Sequence, residues 1–521
     1  MAKVIMIQGT MSNAGKSLIV TGLCRIFKQD GYRVAPFKSQ NMALNSYITA
    51  DNLEMGRAQV VQAEAAGVEP DVAMNPILLK PTTDMGSQVI VNGKPIGDIK
   101  AMDYYRRKKE FIPVVKAAYD KLSSKYDIVV IEGAGSPAEI NLKDDDIVNM
   151  GMAKMADASV LLVGDIDRGG VFAQLLGTIM LLDEDEKDRI KGLIINKFRG
   201  DKDILAPGLR MLEERCNKKV IGVVPYENLH IEEEDSLAEQ LGNRMVGAGI
   251  DIAVIRFPKL SNFTDFQAFA LEENVSVRYV DCVEGLGVPD AVILPGTKST
   301  MQDMLWMREN GLEVAVKKLA NKGTIIMGIC GGYQMLGMEI KEFADREPIR
   351  GMGLLPIKTI FEVEKTRCRV EGRIAQLEGV LASLSGKEIC GYEIHMGQSM
   401  IDAENSAGGK EDFGMWDKLE HSDAADHSGR MEGPAIDTNN ILQGYYRDNI
   451  FGSYIHGIFD TEEFRAAFVS LLWDRKGIAY NPAESITYVE FKEQQYDKLA
   501  QILRDSIDMK EIYNIMGLEV E

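Results

Sequence analysis

The chain has 521 residues, 45% of them hydrophobic and 26% charged, which describes a folded globular protein too long for one core, with about two to four domains expected at roughly 100–200 residues each. Its formal net charge of −20 excludes a broad nucleic-acid-binding surface, because non-specific affinity for phosphate backbones needs clustered Lys and Arg. Six scattered cysteines without a CxxC pair, an N-terminus that runs from Met1-Ala2-Lys3 straight into an apolar strand, and no apolar stretch of the ~20 residues that span a bilayer predict a cytoplasmic protein in a reducing compartment, without a signal peptide or a membrane partner.

In chain order, short apolar runs at Val4–Ile7, Arg33–Phe37, Asp127–Ile131, Ser159–Val163, Gly192–Ile195 and Val220–Val224 alternate with stretches long enough for helices, the pattern of βαβ units around a parallel sheet. Gly9-Thr10-Met11-Ser12-Asn13-Ala14-Gly15-Lys16-Ser17 follows the first run and precedes a helix predicted over Leu18–Phe27. It reads G-x5-G-K-S, one residue longer than the common phosphate loop, but keeps its logic. Small residues at Gly9, Thr10, Asn13, Ala14 and Gly15 let backbone N–H groups surround phosphate oxygens, Lys16 supplies a point charge, and Ser17 stands where a Mg²⁺ ligand is needed at a helix N-terminus.

Farther along, Glu132 in Ile131-Glu132-Gly133-Ala134-Gly135 closes an apolar strand with a carboxylate suited to the metal side of the same site. Arg168, after Asp165-Ile166-Asp167, and Asn196-Lys197-Phe198-Arg199 follow later strands at the same sheet edge. A solvated loop residue is the plain alternative for each of these, and their shared position at strand ends is what favours function.

Acidic, turn-rich sequence at Glu227–Gly249 interrupts the series, and a second one begins at Asp251–Ile255 and continues through Val275–Val280, Ala291–Leu294, Thr324–Met327 and, after a less regular stretch, Ile450–Ile455. The domains expected are 1–230, 250–465 and a helical C-terminal extension, 466–521, with residues 402–440 as an exposed polar insertion. The fold class is α/β, with two doubly wound, mostly parallel sheets.

In the second series, Gly328-Ile329-Cys330-Gly331-Gly332 puts a cysteine on a glycine-walled turn at a strand end, the place for a nucleophile whose substrate carbonyl must approach backbone N–H groups. A thiol nucleophile needs a base. Of the five histidines, His456 follows a strand in Ser453-Tyr454-Ile455-His456-Gly457 and is the chosen base. His421 and His427 fall in the polar insertion, His230 lacks context, and His395 fits a core position or a ligand-facing one equally. Gly296, on the turn after Ala291–Leu294, pairs with Gly331 as the expected oxyanion donors. This set specifies acyl transfer from a carbonyl substrate.

With these residues stated, Gly328–Gln334 with distant His456 resembles the class I glutamine amidotransferases, and the extended phosphate loop with Glu132 resembles the dethiobiotin-synthetase-like ATPases. Together with Lys38-Ser39-Gln40-Asn41-Met42, Asp145–Met150, Gly391–Gly397 and Tyr454–Gly457, the whole chain resembles the cobyric acid synthase family over roughly residues 3–460. The resemblance implies ATP, Mg²⁺, L-glutamine and adenosylcobyrinic acid a,c-diamide as reactants, and amidation of four peripheral carboxylates (b, d, e and g) by ammonia released at Cys330. It makes Lys38, Asn41, Asp146 and Arg168 candidates for substrate contact and implies a sheltered path for ammonia.

One position departs from the amidotransferase pattern. Many members carry a glutamate two residues after the histidine, where this chain has Ile458, so the expectation is a Cys–His dyad or orientation by another acid such as Asp460 or Glu393. The sister synthase that makes the a,c-diamide, and a P-loop switch ATPase with an inert second domain, are the alternative readings. Product mass separates the first, and glutamine-dependent ATP turnover the second.

Overall fold

The computed structural model describes residues 2–83, 86–232, 249–342, 347–402, 416–421, 443–478 and 486–518. The chain divides into two compact units, one formed by Met1–Ala43, Leu53–Glu234 and Glu490–Glu521, the other by Leu44–Asn52 and Asp235–Val489.

The first unit is built on a six-stranded sheet in the order Val220–Pro225, Ile190–Phe198, Ser159–Asp165, Lys3–Gly9, Ile128–Glu132, Val34–Phe37, parallel throughout. Its inner strands are continuous apolar runs because helices cover both faces. Strand order reverses at Lys3–Gly9, and ligands bind beyond the carboxyl ends of the strands at such a reversal. The phosphate loop starts there. A smaller sheet of Gln40–Met42, Ile77–Thr83, Gly86–Val91 and Lys94–Lys100, with two antiparallel hairpin pairings, lies in the sequence between the second and third strands of the main sheet and has no counterpart in the sequence reading.

The second unit has a sheet in the order Val275–Val280, Ile250–Ile255, Ala291–Leu294, Ile325–Ile329, Ile450–Ser453, Gly444–Arg447, parallel except for its last hairpin. The irregular stretch of the sequence is a long antiparallel ribbon, Ile357–Ile374 against Glu388–Ile401. Part of the expected polar insertion, Trp416–His421, adds a strand to that ribbon, while His427 lies outside the described residues.

The C-terminal segment does not form a region of its own. Helix Glu462–Arg475 buries Phe464, Phe468 and Val469 in the second unit, where Phe468 meets Phe451 and Phe459. From Glu490 onward the helices Tyr488–Ser506 and Met509–Ile515 belong to the first unit, where Tyr496, Leu499, Leu503, Ile507 and Ile512 enter the core beside Ile19, Leu23 and Phe27. An amphipathic helix is stable once its apolar stripe is covered, and helix Lys16–Gln29 supplies the cover. Gly22 makes the approach close, since a Cβ there would stand 2.3 Å from Leu503 Cδ1. Leu503→Ala is therefore expected to cost about 2–5 kcal/mol, read as a lower urea midpoint for unfolding of this unit.

Candidate functional site

In the first unit, helix Lys16–Gln29 begins behind Gly15 without a side-chain cap, so its first-turn N–H groups face the loop, an arrangement that favours an anion. Asn13 at φ 60 and Gly15 at φ 97 are left-handed. A side chain at Gly15 would strike Asn196, whose amide donates to Ala14 O at 3.0 Å. Lys16 Nζ donates to Met11 O at 3.0 Å and Gly135 O at 3.2 Å, which brings the phosphate loop and the Glu132–Gly135 turn together as the sequence predicts.

Ser17 Oγ donates to Glu132 Oε1 at 2.8 Å, and Lys38 Nζ stands 2.9 Å from the same oxygen in a buried pair. A hydroxyl and a buried carboxylate at a phosphate loop are the hard oxygen donors Mg²⁺ uses beside nucleotide phosphates. Together with the uncapped helix start and the Gly15 turn, they fit a nucleotide with its metal.

Three motifs converge around this centre. Ser39 Oγ donates to Ile147 O at 2.7 Å, Asn149 brackets Ala134 through both backbone groups, and buried Asn41 donates to Gln59 at 3.0 Å. Asp146 is held within its own loop. Its carboxylate accepts from the N–H groups of Val148, Asn149 and Gly151 at 2.8–2.9 Å, so it shapes the loop and a Cβ on Gly151 would collide with its carbonyl. Arg168 is exposed. Farther along the sheet edge, the guanidinium of Arg199 lies 3.4 Å over the Tyr226 ring and Lys197 pairs with Asp165 at 3.1 Å.

In the second unit, Cys330 sits at φ 50, ψ −108, the strained strand-to-helix turn expected of a nucleophile. Its glycines serve close backbone approach. A Cβ on Gly332 would lie 1.9 Å from Leu294 O, one on Gly331 would meet Thr297, and one on Gly296 would meet the His456 ring at 2.8 Å. Cys330 N–H donates to Ser453 O and Gly332 N–H to Pro295 O. Gly331 N–H, in the first helical turn where no intrahelical acceptor exists, is thus the elbow donor placed for an oxyanion. The Gly296 turn is fixed by Thr297 Oγ1, which bonds Asp303 and Lys259 O. Burial raises the Asp303 carboxyl to about 6 against the lowering effect of the hydrogen bonds it accepts from Thr297 Oγ1 and Lys259 N–H.

His456 is buried near Cys330, which contributes to its electrostatics, while the Cys330 thiol donates to Ile394 O at 3.8 Å. Its Nδ1 lies 2.7 Å from Asp265 Oδ2, and Asp265 Oδ1 accepts from Gly457 N–H at 3.0 Å. Burial opposes the imidazolium, but the charge and hydrogen bond of Asp265, with Cys330 adding to them, carry His456 up to about 10. The orienting acid is therefore Asp265, and the expected dyad, or Asp460 or Glu393 in that place, is corrected. Glu393 is engaged by His395 Nε2 at 3.2 Å, and Ile458 is apolar and buried.

Asp265 lies in the short helix Phe263–Leu271, beyond the strand Ile250–Ile255. The signal in the sequence was the one charged residue in the mostly apolar run Phe263-Thr264-Asp265-Phe266-Gln267-Ala268-Phe269-Ala270-Leu271, since a buried carboxylate demands a partner. Of the two readings left open for His395, the structure gives the core one. It bonds Gly397 O at 2.7 Å and stacks on Tyr454 with ring centroids 3.7 Å apart.

Two family models match the chain, the CobQ/CobB/MinD/ParA nucleotide binding domain over residues 5–237 and the CobB/CobQ-like glutamine amidotransferase domain over residues 251–464. Among curated relatives, the cobyric acid synthase of Lachnoclostridium phytofermentans is 55% identical over 99% of both chains. That of Ruminiclostridium cellulolyticum is 54% identical over 100% of this chain and 98% of its own, and that of Clostridium acetobutylicum is 51% identical over 99% of each.

Proposed function

The chain belongs to the cobyric acid synthase family, and from that premise we propose that it performs the glutamine-dependent amidation of cobalamin biosynthesis at the b, d, e and g carboxylates of adenosylcobyrinic acid a,c-diamide. The observation that supports the reading is that groups suited to both half-reactions occur in one chain. Cys330, His456 and Asp265 form a charge-supported thiol site, while Lys16, Ser17 and Glu132 form a phosphate and metal site.

Glutamine hydrolysis follows from the first set. Cys330 Sγ attacks the side-chain amide carbon, and the resulting oxyanion is met by the N–H groups of Gly296 and Gly331. His456, held protonated by Asp265, gives its proton to the departing nitrogen, and ammonia leaves. The γ-glutamyl thioester is then cleaved by water, whose proton His456 accepts, to give glutamate and the free thiol.

In the first unit Gly9–Ser17 would hold the ATP phosphates and Ser17 with Glu132 the Mg²⁺. When bound, the nucleotide supplies the phosphoryl group that turns a corrin carboxylate into an acyl phosphate for ammonia to displace. Lys38 lies beside this centre, buried against Glu132, and Lys38, Asn41, Asp146 and Arg168 are the corrin-contact candidates. The free cysteines suit a reducing cytoplasm, and among the described residues no helix is long and apolar enough to cross a membrane.

Mass spectrometry of adenosylcobyrinic acid a,c-diamide incubated with the protein, ATP, Mg²⁺ and amide-¹⁵N glutamine tests the reading. Four labelled amides are expected. No label gained by the a,c-diamide, with two labelled amides formed when cobyrinic acid is supplied in its place, would transfer the chain to the sister reaction. Lys16→Ala is expected to lower amide formation by about 10²–10³-fold, the scale for losing one charge-stabilising donor, with either glutamine or ammonium as nitrogen source, and to leave glutamine hydrolysis measured alone unchanged.

A further inference from the structure

Nine residues break the sequence order of the two units. Leu44–Asn52 belongs to the second unit, although the chain on both sides of it, through Ala43 and from Leu53, belongs to the first. The flanking strands Gln40–Met42 and Glu54–Gly56 carry Asn41, bonded to Gln59, and Glu54, paired with Lys80 at 2.9 Å.

Inside the second unit this arm meets the two residues that hold the catalytic base. Ser46 O accepts from Tyr392 Oη at 3.1 Å and from Asn262 Nδ2 at 3.2 Å, and Asn262 Nδ2 also donates to Tyr392 Oη at 2.7 Å. Tyr392 stacks on the His456 ring, with centroids 5.5 Å apart, and exchanges both backbone hydrogen bonds with His456. Asn262 is the N-cap residue, left-handed at φ 53, of the helix that carries Asp265. Ser46 thus touches one residue that positions His456 and one that positions Asp265.

Side chains of the second unit grip the arm. Arg369 donates to Ile48 O at 3.2 Å and to Tyr47 Oη at 2.6 Å, and Ile48 packs with Tyr392 and Ile394. Neighbouring Asn45 is 2% exposed, and neither atom of its amide has a partner among the described residues.

We propose that Leu44–Asn52 is a positioning arm for the glutaminase, with Ser46, Tyr392 and Asn262 setting the His456–Asp265 geometry, and that through its ends it makes glutamine hydrolysis answer to occupancy of the first unit. The second clause rests on the amidation reading above. Tyr392→Phe tests it, since the ring that stacks on His456 is kept and only the hydroxyl joining Ser46 and Asn262 is lost, and Arg369→Lys tests it from the other side of the arm.

In the wild type, glutamine hydrolysis is expected to rise when ATP, Mg²⁺ and the corrin diamide are present. In Tyr392→Phe the kcat for hydrolysis falls about tenfold, the scale for a buried hydrogen-bond pair, KM for glutamine stays within about twofold, and the rise shrinks toward none. Arg369→Lys shows the same loss of rise. A higher KM at unchanged kcat, or an equal fall with and without the corrin that preserves the rise in both variants, overturns the proposal. Failure of the wild type to amidate the corrin with ammonium salts sinks the functional reading instead, and the kcat and KM pattern with glutamine alone still decides whether the arm positions the base.

Discussion

Cys330→Ala is expected to remove glutamine-supported amidation by about 10⁴-fold or more, the scale of losing a covalent nucleophile, while amidation with ammonium salts continues at the wild-type rate. The geometry requires this asymmetry. The thiol stands at a left-handed elbow at φ 50 whose backbone is already tied to Ser453 and Pro295, so alanine removes the sulfur without asking the turn for a new conformation. The elements that fit nucleotide and metal, Lys16, Ser17 and Glu132, lie in the other unit. Steady-state rates with the two nitrogen sources check the prediction, and loss of both would contradict separate sites.

Alkylation gives an independent reading of the same thiol. Burial pushes Cys24, Cys216 and Cys390 above the usual thiol range, and Cys368 up to about 12. Thiolate reactivity follows that order, so Cys330, beside a histidine held protonated, is expected to take iodoacetamide before those four and to be protected by glutamine.

What could be read from the sequence was what depends on local pattern. The parallel strands show as apolar runs because both faces of each sheet are covered, and Val275–Val280 and Ala291–Leu294 match their predicted bounds. Cys330, His456 and the phosphate loop show because glycines mark turns where backbones must approach closely. The pieces that stayed hidden are fixed by contacts distant in sequence. Helix Tyr488–Ser506 has an ordinary amphipathic pattern, and nothing in its periodicity says that Leu503 will pack on Gly22. Asp146 sits in a motif that invites a substrate role, and its part in shaping the loop, through three backbone N–H groups, shows only in the folded chain. Asp265 lies 191 residues from His456, so the pairing has no local signature, and looking for the acid at a family-standard spacing led to Ile458.

Asp265→Asn is expected to lower kcat for glutamine hydrolysis by about 10⁴-fold, the scale known for the acid of a catalytic triad, and to spare ammonium-supported amidation. The carboxylate does two things that an amide cannot do together. Its Oδ1 holds Gly457 N–H at 3.0 Å and its Oδ2 accepts from His456 Nδ1 at 2.7 Å. An asparagine that keeps the first bond turns its NH₂ toward Nδ1, which favours the tautomer with the proton on the other ring nitrogen. That nitrogen then cannot accept a proton from the thiol. Charge acts in the same direction. Asp265 raises His456 to about 10, so the imidazolium beside Cys330 persists through neutral pH and is lost only as the pH climbs toward that value. Without the carboxylate, burial is opposed only by Cys330 and the imidazolium is lost at lower pH, so the alkaline limb of the kcat/KM profile should move down in the variant. Glu393→Gln, whose side chain meets His395 instead of His456, should keep the alkaline limb where the wild type has it. A Glu393→Gln limb that moved as far as that of Asp265→Asn would take the orienting role away from Asp265.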